Sequence, residues 1–257
     1  MKRIIQNLKK LIMTIAIFLA SSSFFINAQE IHFGAKVGLN LTDIYGVMSP
    51  GGPPMGTSSV ALGYHVGGIV DIAFNDNISL APEILYSTAG TKENLSYTLT
   101  NDLAIPMTIV TSGTMSLNLG YLQIPIMVKY KMDNGINFSV GPTFGMLLTS
   151  SYLGNETVNI TTFTKPPIIS NSTSTPAGKL DTAMNKTDIG FAIGGGYQFD
   201  FGLGFGIRYI FGFSQIFKGG ISYPDTSDPY GRTVTQGPYG QNETLQISVS
   251  YLFGMSK

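Results

Sequence analysis

Seven ionisable side chains in this sequence could do chemistry: the two histidines, His32 and His65, and the charged set Lys36, Asp71, Glu83, Lys129 and Arg208. Histidine is the natural general base near neutral pH, and with Ser, Asp or Asn it builds a nucleophilic site. His65 is the better placed of the two for such a role, yet spacing assigns it neither a serine nor an acid. The charged set suggests something else. If its members share the interior of a closed structure they must pair, because a lone buried charge costs several kcal/mol. We therefore expect an internal ion-pair layer of structural purpose, and no catalytic, cofactor-binding or metal-ligating set. The acids Glu93, Asp102, Glu156, Asp181, Asp225 and Asp228 match no compact calcium loop. The strings Gly194-Gly195-Gly196 and Gly202-Leu203-Gly204-Phe205-Gly206 do not open a helix after a strand, so they cradle no phosphate.

The elements that must position these groups are strands. Apolar residues recur at every second position in eight runs, at 31–41, 64–74, 78–86, 115–132, 136–148, 189–199, 203–213 and 245–253. That period places one face against an apolar medium and the other against an interior. In the first run Phe33, Ala35, Val37, Leu39 and Leu41 fall on one face, and His32, Gly34, Lys36, Gly38 and Asn40 on the other. The fourth run changes phase: Leu117 and Leu119 are odd, whereas Leu122, Ile124, Ile126, Val128 and Tyr130 are even, so an extra residue near Gly120 or Tyr121 is expected to form a bulge. Pro82 and Pro125 each remove a ladder donor, and bulges are the expected remedy there too.

Connections alternate in length. Asn75-Asp76-Asn77, Asp133-Asn134-Gly135 and Asp200-Phe201-Gly202 read as tight hairpins, while 44–62, 90–112, 150–187 and 215–243 read as long polar loops. Short turns on one side and long loops on the other, with aromatics near strand ends, describe an eight-stranded antiparallel up-and-down transmembrane β-barrel. Lys2, Arg3, Lys9 and Lys10 precede an apolar stretch at 11–20, which reads as a secretory signal removed after Ala28. Without those four bases, eleven basic residues face fifteen acidic ones, and nothing favours nucleic acid. There is no Cys, so no lipid-anchoring thiol is available.

Local phrases along the chain resemble the PorT-type outer-membrane β-barrel family. They are Phe33-Gly34-Ala35-Lys36-Val37-Gly38-Leu39-Asn40, Pro82-Glu83-Ile84-Leu85-Tyr86-Ser87, Tyr121-Leu122-Gln123-Ile124-Pro125 running to Lys129-Tyr130, Val140-Gly141-Pro142, Gly194-Gly195-Gly196-Tyr197, Arg208-Tyr209 and Ser250-Tyr251-Leu252-Phe253. The resemblance implies an integral barrel, exported to the bacterial outer membrane. The secretion role of the family's namesake has no residue here to carry it. The expected function is structural or interactive, with a narrow channel or a lipid-modifying enzyme as the alternatives. The expected partners are outer-membrane lipids, the barrel-assembly machinery and an extracellular or periplasmic protein. No cofactor is expected.

Overall fold

A computed structural model describes residues 30–45, 56–101, 107–164, 168–218, 221–224, 233–236 and 240–255. The expected signal at 1–28 lies outside them. Twelve strands follow in order: β1 (Glu30–Tyr45), β2 (Gly56–Ala73), β3 (Ile78–Asn101), β4 (Met107–Lys131), β5 (Ile136–Thr162), β6 (Ile169–Ser174), β7 (Ala177–Lys179), β8 (Thr187–Gln198), β9 (Leu203–Gly212), β10 (Ile221–Pro224), β11 (Thr233–Gln236) and β12 (Gln241–Leu252). Eight of them close a ring in the order β4-β3-β2-β1-β12-β9-β8-β5, with β5 returning to β4. Every pairing is antiparallel. Closure gives each ring strand two partners, the condition for a sheet to cross lipid.

The alternation fixes which face is which. Phe33, Val37, Leu39, Tyr64, Val66, Ile84, Val128, Phe138, Phe191, Ile193, Phe205, Ile207, Ile247 and Phe253 are exposed on the outside, while Lys36, Asn40, His65, Asp71, Glu83 and Arg208 are buried. The short connections are the expected hairpins. Gly135 and Gly202 take φ of 87° and 98°, a turn conformation that side chains resist and glycine adopts freely. Asn75 and Asn134 cap their turns by accepting N–H bonds from Ile78 and Ile136.

Three expectations need correction. First, Leu117 and Leu119 do not change face. They point inward with Tyr121, Ile44 and Leu147 and form an apolar layer, so the phase change in β4 was one of composition, not geometry. A register shift does occur at Gly120/Tyr121, but the extra residue is Leu148 of β5, since Tyr121 faces Leu147 while Gly120 faces Thr149. Second, Pro82 and Pro125 require no bulge. Pairing lapses beside each and resumes in the same register, because an isolated missing donor can be skipped.

Third, much of 90–112 and 150–187 is strand, not loop. β3, β4 and β5 run for 24, 25 and 27 residues, whereas about 9–11 tilted residues cross a bilayer. The surplus carries these strands some 40 Å past the apolar band at roughly 3.3 Å per residue. β6 and β7 pair with the upper part of β5 and widen this projecting sheet. Its polarity suggested loop, yet Thr, Val and Ile suit strands and lateral pairing satisfies the backbone. Among the interior charges, Asp71 pairs with Lys129, and Glu83 with Lys36 and Arg208.

Candidate functional site

The interior is built in tiers. Nearest the short turns, Lys129 of β4 pairs with Asp71 of β2. Higher up, Glu83 of β3 accepts two bonds from Arg208, Nη1 to Oε2 at 3.0 Å and Nη2 to Oε1 at 2.6 Å. Lys36 Nζ adds two more, at 3.0 and 3.1 Å. Four charge-assisted bonds, one pair of them a bidentate fork, satisfy the carboxylate. The five predicted residues thus separate into an Asp71–Lys129 pair and a Lys36–Glu83–Arg208 triad. The division follows from reach, since Asp71 and Lys129 sit two residues from their strand ends and the triad lies further in.

β3 and β9 stand four strands apart in either direction around the ring, so the Arg208–Glu83 bridge spans the lumen along its diameter. Two further contacts do the same between β4 and β12, which are also opposite. Gln246 Nε2 reaches Gln123 Oε1 at 3.4 Å, and Asn242 Nδ2 reaches Tyr121 Oη at 3.1 Å. An eight-stranded barrel has an interior just wide enough for side chains to fill. Ala81, Met127, Ala192 and Ile210 pack as a buried apolar cluster inside it.

His65 is not at the outer rim where a base could meet an outside substrate. It is 0% exposed, its Nδ1 lies 2.7 Å from Asn40 Oδ1, and its ring sits over Gly38, where a Cβ would come within 2.5 Å of Cε1. The Asn40 amide nitrogen donates to Tyr64 O, Ser87 Oγ and Thr88 O. That fixes its oxygen toward the histidine, so Nδ1 carries the proton. The other histidine, His32, lies 3.6 Å from Glu30 at the mouth beside the short turns.

A lid over the outer mouth had no sequence signal. Met184, 0% exposed, and Ile216 join Ile44, Leu117, Leu119, Tyr121 and Leu147 in one apolar cluster. The Asn185 amide donates to Gln215 O at 2.8 Å and Phe217 O at 3.1 Å, and Asn185 N–H donates to Ile216 O. Two connecting segments are thereby laced together above the lumen. The cross-lumen pairs Gln123–Gln246 and Tyr121–Asn242 were missed as well, although strand parity turns all four residues inward.

The sequence pattern of one family matches residues 27–218 and so takes in seven of the eight ring strands. The chain belongs to the outer membrane protein β-barrel domain family. It is therefore an outer-membrane β-barrel protein of a bacterium. Among solved structures, this family member is similar to Ail, the attachment invasion locus protein of Yersinia pestis, at 9% identity over 87% of this chain and 99% of that one, with a TM-score of 0.35. Neisserial surface protein A is similar at 10% identity over 86% and 96%, TM-score 0.32. The outer membrane protease OmpT from Escherichia coli is similar at 11% over 86% and 97%, TM-score 0.24. No curated protein matches by sequence.

Proposed function

We propose that this outer-membrane barrel is a non-conducting, non-enzymatic scaffold that holds a rigid sheet outside the cell for a protein partner. The Arg208–Glu83 bridge carries the reading, because a salt bridge along the diameter divides the lumen and leaves beside it a cavity of only about 70 Å³. The apolar lid through Met184 and Ile216 adds a second obstruction. Burial of His65 speaks against hydrolysis at the rim, since a general base must lie within hydrogen-bond reach of its substrate. The projecting parts of β3, β4 and β5, widened by β6 and β7, supply a long surface held by strands instead of mobile loops.

In this reading the segment 1–28 is a signal removed on export, the barrel-assembly machinery inserts the rest, and lipids contact the apolar band. The finer likeness to PorT-type barrels rests on the strand phrases alone, and no secretion role is carried over. Liposome-swelling assays test the scaffold reading. Purified protein should admit neither amino acids nor small sugars faster than empty liposomes do, and swelling in proportion to inserted protein would refute it.

A further inference from the structure

Between the Lys36–Glu83–Arg208 triad and the lid, the lumen keeps a small chamber of about 20 Å³, room for one water-sized particle. Its polar lining comes from Ser87, Gln123, Thr143, Asp188, Asn242 and Thr244, with the Tyr121 hydroxyl, and contains no Lys, Arg or His. Asn242 is 6% exposed and its amide is oriented by two bonds, Nδ2 to Tyr121 Oη at 3.1 Å and Nδ2 to Asp188 Oδ2 at 2.8 Å. Its Oδ1 is buried without a partner, and so is Asp188 Oδ1.

Both orphaned atoms are acceptors, carried by side chains that one hydrogen bond ties together at one cavity. The surrounding backbone is pared down to leave them space. A Cβ on Gly145 would stand 3.1 Å from the Asp188 Cβ, and one on Gly190 would stand 2.8 Å from Thr143 Oγ1. A carboxylate oxygen buried in such a place is costly unless a cation or a proton meets it.

We propose that the chamber is a site for a single sodium ion stripped of its waters, with Asp188 Oδ1 and Asn242 Oδ1 among its ligands. No group of three His, Cys, Asp or Glu occurs among the described residues, which leaves transition metals without their usual ligands. Carboxylate, amide and hydroxyl oxygens instead suit a hard cation. The single carboxylate selects a single charge. The remaining lumen acids, Glu83 and Asp71, are engaged by Lys36, Arg208 and Lys129, so a divalent ion would add positive charge that nothing offsets. A chamber of this size also excludes the several waters that magnesium retains.

The test uses purified protein in detergent, with equilibrium dialysis against radioactive sodium and unfolding midpoints in sodium chloride and in choline chloride at equal ionic strength. One sodium ion per chain and a higher midpoint in sodium are expected. Asp188→Asn should weaken sodium binding at least tenfold and equalise the midpoints, while Asp181→Asn, outside the chamber, should alter neither. If Asp188→Asn fails to fold, Asn242→Ser is read in the same way. Equal wild-type midpoints with no retained sodium would overturn the proposal and leave the chamber to water, as would sodium binding undiminished in these variants. Channel currents would refute the scaffold reading and leave this result to stand by itself.

Discussion

Arg208 and Glu83 lie on strands at opposite sides of the ring and meet through two hydrogen bonds of 3.0 and 2.6 Å. With Lys36 on the same carboxylate, the barrel carries a net positive triad whose one anion is 2% exposed. Removing that anion strands two buried cations. Glu83→Ala is expected to destabilise the barrel by about 3–5 kcal/mol, the range for breaking a buried pair. Replacing all three residues with Met should recover most of the loss, since an apolar substitute of similar volume relieves desolvation. Urea titrations of folding into detergent or lipid, followed by the faster gel migration of the unheated barrel, measure both.

Glycine makes room inside the barrel but not everywhere on it. A Cβ on Gly38 would lie 2.1 Å from Ile247 O and 2.5 Å from the His65 ring, whereas one on Gly68 would meet nothing closer than 3.8 Å. Gly38→Ala should cost about 1–3 kcal/mol through overpacking. Gly68→Ala should be neutral in the same titration.

Leu148 is the residue that the β4–β5 ladder does not pair, and the inward set of β5 is odd below it and even above it. Deleting Leu148 therefore restores one regular register with every side chain on its present face. Deleting Ile207 from β9, which has no such bulge, turns half of that strand over and drives either Arg208 into lipid or its lower neighbours inward. Heat-modifiable gel mobility should persist in the first deletion and vanish in the second.

Eight strands, three hairpin turns and the inward charges were legible because a period of two assigns faces without knowledge of partners. Leu117 and Leu119 misled for the same reason: apolar was equated with outward, and an interior layer of leucines inverts that rule. The grouping of Asp71 with Lys129 needed strand heights, which depend on register and tilt. The lid was illegible, since Met184, Asn185 and Ile216 come from aperiodic segments that only the closed ring brings together. The extension of β3, β4 and β5 was hidden by polar composition, which serves a strand in water as well as a loop.

The lid itself is open to test. Asn185 ties its two segments through side-chain bonds to Gln215 O and Phe217 O, and Lys218 Nζ adds one to Thr182 O at 3.3 Å. Asn185→Ala should leave the barrel folded while raising amide hydrogen exchange in 183–186 and 214–218 about tenfold, the equivalent of roughly 1.4 kcal/mol. Unchanged exchange there would assign the lid's cohesion to the Met184 and Ile216 packing instead.

Single-channel recording in planar bilayers bears most directly on the interior that Arg208 and Glu83 close. Purified wild-type protein, with incorporation verified independently, is expected to give no stable conductance steps across the usual voltage range. Reproducible, sizeable steps that scale with salt concentration would contradict a barrel filled by its own side chains.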